Sequence, residues 1–343
     1  YMTTLKDHKI AVIGGGSFGT ALAHVVASNH FETHLWMRDQ QRACEAQSSR
    51  ENKHYLPGYS LAPSLIISSN LEMIISDSDV VFVSVPSSSF REVVQAIRPF
   101  IKGSMGVVST SKGIGRDGFT VMSEILKQEL PNNIIGVLSG PNFAKEMIQG
   151  QLTGSVIASA DDALIIKVQD ILGSGLFRIY SSHDCYGVEL AGALKNIYAI
   201  IVGMAQARHY GQNTLALLMT RALSEMGRFA HALGADPMTF LGLAGVGDLF
   251  LTCNSNLSRN YRVGYAMGEG KSLTTAMKSV GQVVEGVNTL RLVKPKAQEL
   301  GVEMPLVDAL YALLFEGASA DSIIDQLMLS AQNSDVDFTG AIR

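Results

Sequence analysis

The sequence predicts an α/β domain over residues 1–188 and an all-α domain over residues 189–343, and three features carry that reading. Short apolar, β-branched runs alternate with helical stretches through the first half. A glycine-rich turn, Gly14-Gly15-Gly16-Ser17-Phe18-Gly19, ends the first of those runs. From about Val188 strand-like runs become scarce and long helical patterns take over.

Taken in order, residues 9–13 form a buried-strand run that stops at three glycines, and residues 20–28 have the small and apolar spacing of a helix. Strand-like runs follow at 33–36, 66–67, 80–85, 106–110, 134–138, 156–158 and 177–180, the last two around a helix at 163–172. Apolar runs without clean alternation, separated by helices, indicate a parallel sheet covered on both faces. Helical patterns then cover 188–208, 215–233, 260–267, 290–300 and 304–315. No Gly/Ser- or Pro-rich linker separates the two parts, which predicts packed rather than tethered domains.

Composition narrows the function classes. The 343 residues suit two cores, and with 47% hydrophobic and 17% charged residues the chain is far from a disordered composition. A net charge of −4 offers no global basic field for nucleic acid or an anionic membrane. Any anionic ligand must find its positive charge locally. Cys44, Cys185 and Cys253 are scattered and lack CxxC spacing, so they read as reduced thiols in a cytoplasmic protein. The eight histidines show no HExxH motif, and no metal is expected. The longest apolar run, residues 197–207, is interrupted by Tyr198 and Gln206 and falls short of the ~20 residues of a membrane span, so no membrane insertion is expected.

Gly14-x-Gly16-x-x-Gly19 lies between a predicted strand and a predicted helix, the context that makes GxGxxG informative. It predicts a Rossmann-type dinucleotide-binding domain. Gly14 permits the tight turn, Gly16 lets a pyrophosphate approach the backbone, and Gly19 lets helix and strand pack closely. The N–H groups of Ser17 and Phe18 then face the phosphates with the helix dipole behind them. At the end of the second strand, where an acid usually takes the ribose hydroxyls of NAD, stands Arg38, followed by Asp39. A guanidinium there can pair with a 2′-phosphate, so NADP(H) is favoured over NAD(H). A solvated surface arginine is the alternative.

Lys195 lies in an otherwise apolar helix. It either snorkels to the surface or is desolvated, and desolvation lowers its pKa toward that of a general acid/base. Asp248 follows a glycine-rich, flexible run and is one helical turn from Thr252; it is a functional acid or simply an N-cap. Ser258-Arg259-Asn260 precedes another helical segment and combines a hydroxyl, a guanidinium and an amide at a helix start. That is either a phosphate site or an ordinary capped helix. The loops 109–113, with Lys112, and 139–144 follow strands, where the ligand crevice of an open α/β sheet lies, though each is equally a plain turn.

Together these pieces resemble the bacterial NAD(P)-dependent glycerol-3-phosphate dehydrogenases. The resemblance rests on GGGSFGTALA (14–23), LWMRD (35–39), SKG (111–113), SGPNFAKE (139–146), LAGALKNIYAI (190–200), GLAGVGDLFLTC (242–253), SRN (258–260), GQVVEGV (281–287) and GVEMP (301–305), in family order. It implies reversible hydride transfer between NAD(P)H and dihydroxyacetone phosphate, giving sn-glycerol 3-phosphate for phospholipid synthesis. By the resemblance, Lys195 is the general acid/base. Lys112, Gly140, Asn142, Asn196, Asp248, Thr252, Ser258, Arg259 and Asn260 join it around the substrate. Gly14, Gly16, Ser17, Phe18, Gly19, Arg38, Tyr55, Lys112, Ala144, Arg259, Val283 and Glu285 contact the nucleotide. A homodimer is the expected assembly. The nearest rivals are a ketopantoate or β-hydroxyacid reductase, whose substrates give no reason for SRN at a helix start, and a non-catalytic dinucleotide sensor, which needs neither Lys195 nor Asp248.

Overall fold

The computed structural model describes residues 6–115 and 118–320; the outer ends of both expected domains, 1–5 and 321–343, lie outside the described residues. The strands are β1 (Lys6–Ile13), β2 (Phe31–Trp36), β3 (Ile66–Ser68), β4 (Val80–Val83), β5 (Gly106–Ser109), β6 (Ile114–Gly115), β7 (Thr120–Val121), β8 (Ile134–Ser139), β9 (Thr153–Ser159) and β10 (Phe177–Ser182). Eight of them form one sheet in the order β10-β9-β8-β5-β4-β1-β2-β3, and β6 and β7 form a separate two-stranded sheet. Strand order runs outward in both directions from β1, which pairs with β2 on one side and β4 on the other. The glycine turn therefore sits where the order reverses, the place where such sheets bind ligands.

The unbroken apolar runs have a direct explanation. Ile10, Val12, Val80, Phe82 and Val108 belong to one buried cluster. Their chain neighbours Ala11, Ile13, Val81, Val83 and Val107 belong to another. Successive side chains point to opposite faces, and both faces are covered, so these runs are apolar without alternation.

The expectation of a wholly parallel sheet needs correction at one pairing. β8 and β9 run antiparallel, with Gly136 opposite Ser159 and Ser139 opposite Val156. The intervening helix, Ala144–Ile148, has five residues, or about 8 Å at 1.5 Å per residue. The six-residue β8 is about 20 Å long at 3.3 Å per residue, so such a helix is too short to carry the chain back to its start. The eleven-residue helix Asp162–Leu172 does return the chain, and β10 pairs parallel with β9.

The chain divides into two compact units. The first holds the described residues up to Ser111 together with Met122–Cys185; the second holds the described residues of Lys112–Val121 together with those from Tyr186 onward. The β6–β7 hairpin, including Lys112 at its entry, thus belongs to the mainly helical unit, where Phe119 meets the Phe229 ring edge-on at 5.5 Å. The long helix Cys185–Ala207 is apolar and long enough to cross a membrane, but its apolar window is wholly buried inside the protein. It is the core helix of the second unit. Helix Arg259–Gly268 crosses it backbone to backbone, because Gly203 faces the Tyr261 carbonyl and Gly264 the Ile200 carbonyl, with no room for a β-carbon at either.

Candidate active site

In the first unit the glycine turn is built by the backbone. Gly14 has φ +122°, a conformation open to glycine alone, and donates its N–H to the Trp36 carbonyl at 3.1 Å. A β-carbon at Gly14 would overlap the Ser84 carbonyl oxygen, and one at Gly19 the Gly14 carbonyl oxygen. Gly16 differs, since nothing lies within 4 Å of the place its β-carbon would occupy. That open cradle faces helix Ser17–Ser28, whose N-cap, Gly16, has no side chain to satisfy the first N–H groups. The residues present fit a dinucleotide pyrophosphate.

Other expected nucleotide contacts gather around this turn. The Ser17 hydroxyl donates to the Tyr55 carbonyl at 3.0 Å. Asn52, which no sequence motif marks, ties the segment down by donating to the Gly15 carbonyl and to Thr20 Oγ1, both at 2.9 Å. Phe18 and Ala144 pack against the same buried cluster. Arg38 is exposed. Asp39 is occupied as the N-cap of helix Gln40–Ser49, accepting the Arg42 N–H at 3.0 Å. Gly140 has φ +129°, and buried Asn142 donates to Ser155 Oγ at 2.9 Å.

In the second unit the open choices at Lys195 and Asp248 resolve. Lys195 does not snorkel: it is 4% exposed, and its Nζ donates to Asp248 Oδ1 at 2.5 Å and to Thr252 Oγ1 at 2.7 Å. Burial pushes its pKa down from 10.5 to about 8, helped by the positive Lys112 and opposed by Asp248. Asp248, 1% exposed, is not an N-cap; its other oxygen accepts from Lys112 Nζ at 2.8 Å. One carboxylate thus bridges two ammonium groups.

Local structure explains this aim. The glycine-rich run expected to be flexible is an ordered wide turn over Leu243–Gly247, with Ala244 and Gly245 buried and the Gly247 N–H bonded to the Gly242 carbonyl at 3.3 Å. Such five-residue turns frequently mark functional sites. This one delivers Asp248 as the first residue of helix Asp248–Cys253, with Thr252 one turn on and 3.3 Å away. Cys253 beside them is buried, and its thiol is pushed up to about 12 by that burial.

A chain of amides extends the cluster. Asn196 Nδ2 reaches the Lys112 carbonyl at 3.5 Å, Asn260 Nδ2 donates to Asn196 Oδ1 at 2.9 Å, and the Gly286 N–H donates to Asn260 Oδ1 at 2.9 Å. Ser258 is the N-cap of helix Arg259–Gly268, accepting the Tyr261 N–H at 3.2 Å. Arg259 is exposed and reaches Gln282 at 3.4 Å. Exposed Val283 and the helix-opening Glu285 follow in the same segment, next to Gly286. Among the described residues no group of His, Cys, Asp and Glu could hold a metal ion.

A glycine cradle at a strand-order reversal, joined in one chain to a helical unit with a buried lysine–carboxylate pair, defines the class of two-domain dinucleotide-dependent oxidoreductases. The comparisons then give the family. Its N-terminal profile, described as NAD-dependent glycerol-3-phosphate dehydrogenase N-terminus, matches residues 9–165, and the C-terminal one matches residues 184–325. The chain belongs to this family. It is 56% identical over 342 residues to glycerol-3-phosphate dehydrogenase (NAD(P)+) of Saccharophagus degradans, covering 100% of this chain and 96% of that one. Against the enzyme of the same name from Teredinibacter turnerae it is 57% identical over 335 residues, covering 98% of each. The crystal structure of glycerol-3-phosphate dehydrogenase from Coxiella burnetii superposes with a TM-score of 0.90 at 34% identity, covering 94% of this chain and 99% of that one. A ketopantoate reductase from Ralstonia eutropha shares only the fold, at a TM-score of 0.57 and 17% identity, covering 93% and 99% of the two chains.

Proposed function

We propose that Lys195 is the general acid and base in the family reaction, the reversible reduction of dihydroxyacetone phosphate to sn-glycerol 3-phosphate that feeds phospholipid synthesis. The observation that carries this reading is the buried contact of its ammonium with Asp248 and Thr252. A lysine ammonium has three N–H donors, and these two contacts leave one for a substrate carbonyl oxygen. As negative charge develops on that oxygen, the ammonium stabilises it and then transfers its proton. A pKa of about 8 lets the group both give and retake a proton near neutrality. Reduction needs the charged form and should fall as pH rises through about 8; oxidation needs the neutral amine and should rise.

Positive charge for the substrate phosphate is assigned to Arg259, with the first N–H groups of helix Arg259–Gly268. Asn260 spends its oxygen and one N–H inside the protein. It serves the site by fixing Asn196, with one N–H left for substrate. Lys112, Gly140 and Asn142 complete the proposed substrate set. Gly14, Gly16, Ser17, Phe18 and Gly19 are assigned to the pyrophosphate, with Arg38, Tyr55, Ala144, Val283 and Glu285 along the rest of the dinucleotide. When bound, the reduced nicotinamide supplies the hydride. NADP(H) is the favoured form, supported by exposed Arg38 and by the use of Asp39 as a helix cap.

Three free cysteines support a reducing, cytoplasmic setting. Exposed Met238, Leu241 and Phe250 on the helical unit support a homodimer, which sedimentation decides. The central test is NADPH oxidation with dihydroxyacetone phosphate beside unphosphorylated dihydroxyacetone. Efficient turnover should require the phosphate. A folded protein that fails to turn over the phosphorylated ketone would sink the reading.

A further inference from the structure

A second buried carboxyl lies outside the cluster of Lys195 and Asp248. Glu225, on helix Gln212–Ala232, is 2% exposed, yet its two oxygens accept three hydrogen bonds. Oε1 takes the Leu306 N–H at 2.7 Å, and Oε2 takes the Val307 N–H at 3.4 Å and the Tyr198 hydroxyl at 3.1 Å. Leu306 and Val307 follow Pro305 at the start of helix Pro305–Phe315, whose own N-cap, Met304, offers no side-chain acceptor. Glu225 supplies from another helix the cap that this one lacks. Its third partner, Tyr198, sits on the helix of Lys195, one turn further along and buried. A single carboxylate therefore joins three helices, and one of them carries the proposed acid.

We propose that Glu225 is a positioning residue for Lys195, a proton-sensitive strut that fixes the lysine's helix against helix Pro305–Phe315 through Tyr198. The kinetic side of this rests on reading Lys195 as the acid. An ionised carboxylate can accept from all three donors. A carboxyl proton adds a donor where three donors already point at the group; on Oε2 it competes with the Tyr198 hydroxyl, which can then accept instead of donate, so the link is remade with different geometry. Burial raises the Glu225 carboxyl from 4.5 to about 7, against the pull of the Leu306 N–H, the Tyr198 hydroxyl, the Arg228 guanidinium and the Val307 N–H. Tyr198 is pushed well above its ordinary range by burial and by Glu225. The other charged groups around the strut are Arg228, which also donates to the Glu303 carbonyl at 3.0 Å, and Asp308, whose charge is matched by Lys294 at 2.6 Å. Among the groups of the strut, Glu225 is the one whose burial raises its carboxyl toward neutral pH.

The test follows the full chain, Glu225→Gln and Tyr198→Phe from about pH 5 to 9, a span that brackets both titrations, recording Tm and steady-state reduction. The unaltered chain should lose kcat on both sides, below about 7 as the strut takes a proton and above about 8 as Lys195 loses one. In both variants the acid limb should vanish, with kcat at about pH 7.5 lowered roughly tenfold, the worth of one hydrogen bond to a charged group, and KM for dihydroxyacetone phosphate unchanged. Tyr198→Phe keeps the Glu225 bonds to helix Pro305–Phe315, so it separates positioning from folding even if Glu225→Gln does not fold. Because the folded carboxyl binds its proton more tightly than the unfolded one, its stabilisation is complete at the acid end and is lost as pH rises through about 7. The Tm advantage of the unaltered chain over Glu225→Gln should accordingly shrink from about pH 5 to about pH 8. An acid limb that persists in Tyr198→Phe, or a Tm difference without that trend, overturns the strut. Normal turnover by Lys195→Ala overturns the acid reading instead and leaves the Tm trend intact.

Discussion

The two units build their sites from different materials. In the first, the cradle from Gly14 to Gly19 is made of main chain: at Gly14 and Gly19 a β-carbon would strike a carbonyl oxygen, and at Gly16 the backbone lies open. In the second, the cluster is made of side chains whose positions are far apart in sequence: Lys195 and Asp248 are 53 residues apart, Lys112 and Asp248 136. A main-chain site recognises what most dinucleotides share, whereas a side-chain cluster sets one protonation state and one substrate charge. On the proposed reading, the first unit serves the cofactor and the second selects the reaction.

Four substitutions probe that contrast. The largest effect is expected for Lys195→Ala, with kcat reduced at least roughly 100-fold, the scale of losing an acid catalyst; near-normal turnover would show that the side-chain cluster is structural. Gly14→Ala should come next. Its φ of +122° and the overlap with the Ser84 carbonyl oxygen carry a cost of about 1–3 kcal/mol in strain alone, read as a lower Tm and weaker dinucleotide binding by titration. Unaltered cofactor affinity would break the main-chain side of the comparison. Arg259→Ala should raise KM for dihydroxyacetone phosphate roughly tenfold, as for one charge-assisted hydrogen bond, with kcat little changed. An unchanged KM removes Arg259 from the phosphate. The smallest effect belongs to exposed Arg38, where replacement by alanine should lower the ratio of NADPH to NADH efficiency about two- to fivefold, as befits a solvent-screened pair.

The same contrast separates what is legible in the sequence from what is not. The glycine turn and the buried strands β1 and β4 are legible because their signals are local, a short glycine motif or an unbroken apolar run. Helix Gln40–Ser49 escapes such a reading, since it buries only Ala43 and Ala46 and shows almost no apolar stripe. The reversal of β9 is hidden in the shortness of helix Ala144–Ile148. At the site, spacing alone places Asp248 and Thr252 on one face. The burial of Lys195, and the sharing of its carboxylate with Lys112, depend on long-range packing. Glu225 leaves no trace in the pattern, because an acid in a helix of Ala, Leu and Met reads as a solvated position until its burial is known.

The allocation of Lys112–Val121 to the second unit constrains how the gene can recombine. The chain leaves the first unit after Ser111, lends the described residues of 112–121 to the second and returns at Met122. One of the two cations held by Asp248 is therefore encoded in the amino-terminal half of the gene. A chimera joined at residue 186 would take this lysine from one parent and its aspartate from the other. Recombination between divergent relatives should be tolerated better where the product carries both members of that pair.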